Sequence, residues 1–342
     1  DARNDLEVSL QKLSIIFKEG FLFEDKEIRL QGVCAFVPEQ RPTPINEMYL
    51  NGLSILNHSS IDYRLDIITY EPHFHTRNFS DEILEDFERA KQSDELFVMY
   101  QPKVCPKLNA VYSVEALIRW QHTKYGVLAP NVFLPNLEDN NKMGELTDWI
   151  IEQVCLALNK WKQDGSIIRQ VAINIPGPYL TSSSLMNALK NMTHKYGIEP
   201  EAIELEITET SFVKTIESAE KAVKEYRKEG FSVALDDFGT GVSSLSYLKN
   251  IPITTLKIDK SFIANITSKE SVEAEITNAI ISLVTNMGLD TIAEGVENPE
   301  QLEVLEAINC KNTQGFLMGK PMPVTLCERM LSGDETAVLR SE

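Results

Sequence analysis

The stretch that decides the fold is Ser232-Val233-Ala234-Leu235-Asp236-Asp237-Phe238-Gly239-Thr240-Gly241. A short apolar run closed by polar residues reads as a strand buried on both faces, the kind found in parallel sheets. Two aspartates stand at its C-terminal end. The glycines behind them allow a tight loop with unusual backbone angles, and such a loop can move, coupling whatever the aspartates hold to another surface. Upstream, Ile216–Glu229 has helical periodicity and stops at Gly230. Downstream, Thr254–Ile258 reads as the next strand.

The same strand-then-helix rhythm extends in both directions. Strands are predicted at Leu96–Gln101, Val111–Trp120, Gln170–Ile175, Ala202–Ile207, Ser232–Asp236, Thr254–Ile258, Thr291–Ala293 and Thr313–Leu317. Helical patterns lie at Gly144–Gln163, Ile216–Glu229 and Glu273–Met287, with helix-stop glycines at Gly165, Gly230 and Gly288. Eight strands alternating with helices over roughly 250 residues predict an α/β fold of the (βα)8 barrel type. A doubly wound open sheet is the rival, and periodicity alone does not separate the two.

A polar residue marks the end of strand after strand. Glu115 follows Tyr112-Ser113-Val114, Asn174 ends Val171-Ala172-Ile173, and Glu206 ends Ile203-Glu204-Leu205. Asp236 and Asp237 close the central strand, Lys257 sits in Thr255–Asp259, Glu294 follows Thr291-Ile292-Ala293, and Gln314 lies in the last strand. In a barrel these ends converge on one mouth, where barrel active sites lie. So many carboxylates do not stay ionised side by side without cations. Oxygen ligands suit hard cations, Mg²⁺ or Mn²⁺. Two such ions can generate a hydroxide and clamp a phosphodiester for in-line displacement. The lysine would polarise the attacking water or stabilise developing charge. The residues by themselves therefore point to a two-metal phosphoester hydrolase.

The totals agree with a small anionic substrate rather than a polymer. Of 342 residues, 33 are basic and 51 acidic, a net charge of −18. That field repels nucleic-acid backbones and anionic membranes, and no apolar run reaches the 18 or so residues of a membrane span. Cys34, Cys105, Cys155, Cys310 and Cys327 form no CxxC pair; an odd, widely spaced set reads as reduced cytoplasmic thiols. Trp120, Trp149 and Trp161 are expected in core or interface.

Before the barrel pattern, the first 79 residues read differently. Leu6–Phe17 is helical in period, Phe21–Phe36 reads as a hairpin turning at Glu24–Lys26, Pro38–Pro44 is a loop, Asn46–Asn57 a helix and Tyr63–Tyr70 a strand. His73 and His75 lack further ligands nearby and read as a solvated loop. Ser80 is a candidate N-cap for the following helix, whose Glu82–Glu88 acids form a solvated face. The expected division is 1–79, a barrel over 80–335, and a tail at 336–342.

The ordered motifs resemble those of EAL-domain cyclic di-GMP phosphodiesterases. Glu115-Ala116-Leu117 matches the motif that names the family, Glu206–Glu209 its E-x-T-E segment, and Asp236–Gly241 its DDFGTG loop. Leu256–Asp259 matches LKID, Glu294–Glu297 EGVE, and Gln314-Gly315-Phe316 with Lys320–Pro323 the tail. The resemblance spans about Ser80 to Arg329. It implies a modified barrel with one antiparallel strand, opening cyclic di-GMP to linear pGpG with Mg²⁺ or Mn²⁺. It implies that Glu115, Asn174, Glu206 and Asp236 hold metal, with Asp237 shared or holding a second ion. Lys257 and Glu294 would serve the attacking water, and Glu209 would brace the Asp236–Gly241 loop. Arg119, Gln101, Gln314 and Asp259 would meet the substrate. A homodimer through the helix near that loop is implied as well. Asn174-Ile175-Pro176 departs from the family's Asn-x-Ser. Leu6–Tyr70 resembles the C-terminal half of a GGDEF domain without its signature, which implies no cyclase activity. The alternative to the enzyme is a degenerate domain that binds the nucleotide without cutting it. The complete set of acids, amide and lysine favours the enzyme.

Overall fold

The computed structural model describes residues 77–108, 110–165, 170–209, 211, 216–239, 248, 251–266, 268 and 270–331, preceded by four short strands. Those strands are β1 (Phe21–Phe23), β2 (Lys26–Ile28), β3 (Cys34–Phe36) and β4 (Ile67–Thr69). The expected hairpin is present as an antiparallel β1–β2 pair, Phe21 opposite Ile28, and β3 pairs in parallel with β4. The helices expected at Leu6–Phe17 and Asn46–Asn57, the loop histidines, the GGDEF resemblance and the 336–342 tail fall outside the described residues.

The chain divides into two compact units. One comprises Asp1–Glu95 and Trp120–Lys142, the other Leu96–Arg119 and Met143–Glu342. The second is the barrel. Its strands are β5 (Leu96–Cys105), β6 (Ala110–His122, which runs on into the first unit), β8 (Val171–Asn174), β9 (Ile203–Thr208), β10 (Ser232–Phe238), β11 (Thr255–Ile258), β12 (Asp290–Ala293) and β13 (Asn312–Gln314). β6, β8, β9, β10, β11, β12 and β13 pair in that order, all parallel. β5 pairs antiparallel with β13 and also pairs with β6, closing the ring. That closure removes the open-sheet alternative and makes β5 the one reversed barrel strand.

The two-sided burial read from the sequence is seen directly. Val233, Ala234 and Leu235, with Ile203, Leu205 and Ile207 on β9, are all at most 1% exposed. The outer helices include α3 (Met143–Gln163), α4 (Ser183–Tyr196), α5 (Ile216–Lys228), α6 (Val272–Asn286), α7 (Pro299–Ala307) and α8 (Val324–Leu331). A last short strand, β14 (Met322–Pro323), pairs antiparallel with β5 at Tyr100 and Met99.

The first unit contains α1 (Arg77–Gln92), the hairpin of β6 with β7 (Gly126–Leu128), and α2 (Pro130–Asp139). Ser80 is not a cap: α1 begins three residues earlier, and the Ser80 hydroxyl donates to Asn136 Oδ1. The helix starts early because Phe79, Ile83, Phe87 and Ala90 make one apolar stripe, each wholly buried.

Candidate functional site

Alternation along each strand aims the site residues inward. Glu204 and Glu206 share one face of β9, and Thr255 and Lys257 share one face of β11, because side chains two apart point the same way. Register puts Asn174 beside Glu206 and Ala234 beside both Glu206 and Thr255. Glu115 does not end its strand as the sequence suggests. It lies within β6, opposite Ala172, and the strand continues to His122.

Lys257 is the hub. It is 1% exposed, and its Nζ lies 2.9 Å from Glu294 Oε1, 3.0 Å from Glu206 Oε2, 3.1 Å from Asp236 Oδ2 and 3.8 Å from Glu115 Oε2. Burial works against its charge, but the facing Asp236, Glu115, Glu206 and Glu294 hold its pKa well above the usual lysine range. It is thus a permanent cation that donates hydrogen bonds and accepts none.

The carboxylates divide by how many ammonium groups face them: two for Glu206, one for Glu294 and Glu115. Burial would push Glu206 up, yet Lys103 and Lys257 hold it down at about 2. Glu115 is pushed up, first by burial and then by Glu206. Glu294 is raised well above its ordinary value by burial and by Asp236 and Glu115, against the pull of Lys257. A divalent cation relieves that mutual repulsion. Asp236, Asp237 and Glu294 each bring one carboxylate oxygen within 4.8 Å of the others, a spacing that suits a shared ion. The donors are oxygens, with neither thiol nor imidazole, which selects a hard cation.

Beside this triad runs a second polar chain. Asn174 Nδ2 donates to Glu115 Oε1 at 2.7 Å, and Gln314 Nε2 donates to Glu115 Oε2 at 2.6 Å. Gln314 Nε2 also reaches Gln101 Oε1 at 3.3 Å, while Gln101 Nε2 donates to the carbonyl of Gly319 at 3.1 Å.

The loop after β10 is built on positive φ angles. Asp237 has φ +56 and Gly239 φ +96; aspartate is among the few side chains that visit the left-handed region. The Asp237 N–H donates to Asp236 Oδ1 at 2.8 Å, and the Gly239 N–H donates to the buried Glu209 Oε2 at 3.0 Å.

The chain matches the EAL domain family over residues 84–321. It belongs to that family. It is 34% identical over 242 residues to the bifunctional diguanylate cyclase/cyclic di-GMP phosphodiesterase MucR of Pseudomonas aeruginosa, covering 71% of this chain and 35% of MucR. It is likewise 34% identical over 247 residues to the cyclic di-GMP phosphodiesterase NbdA of the same species, covering 72% and 31%. The chain thus spans about a third of the length of these relatives. A solved complex of the MucR phosphodiesterase with c-di-GMP superposes with a TM-score of 0.68 at 32% identity, covering 72% of this chain and 99% of that one. An EAL domain protein from Listeria monocytogenes gives 0.63 at 31% identity, covering 73% and 97%.

In this EAL domain the residues expected at the mouth meet there, with two on its fringe. Arg119 is half-buried and donates through Nη1 to the carbonyl of Ile118 at 2.7 Å. The Asp259 side chain is buried and accepts the Ser261 N–H at 2.9 Å, capping the one-turn helix Lys260–Ile263. Two charged residues escaped the sequence reading. Lys103, with no exposed surface, puts its ammonium 2.7 Å from both Glu204 Oε1 and Glu206 Oε1. Glu204 Oε2 accepts the Thr255 hydroxyl at 2.9 Å. The available signal was spacing: Lys103 lies two residues from Gln101, and Glu204 two from Glu206.

Proposed function

We propose that this EAL domain hydrolyses cyclic di-GMP to linear pGpG with Mg²⁺ or Mn²⁺. The observation that carries the proposal is the triad of Asp236, Asp237 and Glu294 oxygens set against the buried Lys257. The cyclic di-GMP phosphodiesterases MucR and NbdA, and the MucR complex with c-di-GMP, point to the substrate. Asp236, Asp237 and Glu294 would hold one ion; Glu115, Asn174 and Glu206 would complete a second position. Bound divalent ions would supply a hydroxide nucleophile near neutral pH and neutralise charge on the phosphodiester. Lys257 holds three carboxylates in place and, being always protonated, stabilises developing negative charge as a fixed cation rather than taking a proton. Gln101 and Gln314, with Arg119 and Asp259 at the fringe, would contact the nucleotide. Glu209 would keep the Asp237–Gly239 turn in shape.

The test is incubation with cyclic di-GMP and Mn²⁺ or Mg²⁺, following pGpG, with and without a chelator. Turnover that chelation stops is the expected result. Binding without turnover would convert the reading to a nucleotide receptor. Glu115→Ala should lower kcat/KM by roughly a thousandfold, since a metal position is worth several kcal/mol of barrier; unchanged turnover would remove Glu115 from the site.

We further propose the homodimer expected through the helix near the Asp236–Gly241 loop, and extend its surface to α6. Val272, Ile276, Leu283 and Met287 form one exposed apolar stripe along it, Val272 being 66% exposed. Molecular mass measured against concentration tests this. Among the described residues no helix is long and apolar enough to cross a membrane. Cys105, Cys155, Cys310 and Cys327 are all free thiols, which supports placing this domain in the cytoplasm.

A further inference from the structure

Beneath the mouth lies a run of alternating charge whose lower part, Thr255, Glu204 and Lys103, the hydrolysis reading does not use. From the floor upward it goes Thr255 hydroxyl, Glu204, Lys103, Glu206, Lys257, with successive contacts of 2.9, 2.7, 2.7 and 3.0 Å. Glu204, Lys103, Glu206 and Lys257 are each at most 3% exposed. An ammonium sealed from water is unusual unless it is paired and has a task. A packing role alone would be met as well by apolar side chains of similar volume, since buried ion pairs are seldom better than a hydrophobic replacement.

The geometry shows what Lys103 does to its neighbour. Glu206 has two carboxylate oxygens. Lys103 takes Oε1 and faces the floor, which leaves Oε2 as the oxygen beside Lys257 and the other mouth carboxylates. Lys103 is itself pinned by the second carboxylate, Glu204, and Glu204 by Thr255. Each link removes a rotation from the next. The end of the run is a glutamate whose carboxylate plane is set before any ligand arrives.

We infer that Lys103, anchored by Glu204, is a positioning residue that presents a single oxygen of Glu206 to the metal site. The inference rests on the proposed metal-dependent function and extends it from the ligands to the residue that orients one of them. Groups that orient metal ligands typically change metal affinity by about 10- to 100-fold when removed.

The decisive variant is Lys103→Met/Glu204→Gln, which deletes the buried pair without leaving either charge alone. The probe is Mn²⁺ alone, titrated calorimetrically into the intact chain, with thermal unfolding followed in parallel. The expected result is a Kd for Mn²⁺ raised about 10- to 100-fold in a protein that still unfolds cooperatively. Glu204→Gln alone keeps an amide oxygen to accept from Lys103 and keeps the Lys103–Glu206 bond, so its Kd should stay within about threefold of the parent. An equally large loss in Glu204→Gln would overturn the assignment of Lys103 as the orienting group. A double variant that binds Mn²⁺ like the parent, whatever its melting temperature, would reduce the run to a structural brace and sink the inference. Should the Met variant not fold, Lys103→Gln/Glu204→Gln carries the same expectation, because it too removes the ammonium that Glu204 and Glu206 share. Asp236→Asn is the control. If the parent chain binds no Mn²⁺, the metal-site reading itself has failed. If the parent binds, Asp236→Asn does not, and the double variant does, only the role of Lys103 has failed.

Discussion

In the first half of β6, Val114, Glu115 and Ala116 are buried, and the charged one among them is bonded to Asn174 and Gln314. In the second half, Trp120 and His122 are buried instead. Trp120 packs edge-on against Phe133 at 5.5 Å and tilted against Phe87 at 6.4 Å, and its Nε1–H donates to Glu95. The first half is buried on both faces and the second on alternate residues, so one strand delivers a carboxylate in one place and an indole in the other. The first half accepts an energetic cost, a buried acid, that only partners of opposite charge offset. The second gains from apolar burial and aromatic geometry. Charge sequestered in the interior marks the barrel's chemistry, whereas the first unit keeps its ion pairs, such as Lys124–Glu82, on the surface.

That contrast can be broken by experiment. Trp120→Ala should cost about 3–5 kcal/mol of unfolding free energy, measured by denaturant titration, while Mn²⁺ affinity stays within about threefold. A parallel collapse of metal binding would show that the two halves of β6 are not separable. Gly239→Ala should have a smaller effect on stability, about 1–2 kcal/mol for holding a side chain at positive φ, to which the shift of the Phe262 ring away from the new methyl adds. Its larger effect should be on turnover, down roughly 10- to 100-fold through misplacement of Asp236 and Asp237. Unaltered kcat would mean that the turn does not position the aspartates.

The smallest effect is expected at the surface. Glu152 on α3 accepts from Lys195 Nζ at 2.7 Å and Tyr196 Oη at 2.9 Å at the end of α4. These hydrogen bonds hold its carboxyl below the usual range. A folded pKa below the unfolded one stabilises above the unfolded value of about 4.3, and that stability is lost as pH falls through the folded pKa. Glu152→Gln should therefore cost only about 0.2–1 kcal/mol at pH 7, the difference from the parent shrinking as pH falls below about 4.3 and vanishing beneath the folded pKa. A constant difference across pH would assign the effect to shape rather than charge.

Most of the barrel was legible because its parallel strands obey one rule: apolar run, then polar end. Ser232–Leu235 with Asp236, and Thr291–Ala293 with Glu294, are plain in the sequence for that reason. Lys103 was not. In β5 it sits between Pro102 and Val104, where a lysine ordinarily reads as a surface residue snorkelling outward, and the strand runs against the others. Glu204 was hidden for a different reason: it shares the inward face of β9 with Glu206 but stands too far before the strand's polar end to read as part of the site until the partner lysine is known. α2, which lies outside the helical patterns read from the sequence, begins at Pro130, and proline at the first helical position is favourable. Ser80 misled because capping residues also serve inside helices when a partner such as Asn136 is in reach.

The reversal of β5 has a consequence for how the chain tolerates changes in length. On every parallel strand, moving two residues toward the C-terminus climbs out of the barrel; on β5 it descends, from Gln101 at the rim to Lys103 at the level of Gln314. The connection to β6, Pro106–Leu108 and residue 109, is short. A slip of one position would turn Gln101 and Lys103 outward together and swing Pro102 and Val104 in. Rim and foundation of the site thus share one reading frame, and an insertion or deletion that an outer loop would absorb would here erase both at once.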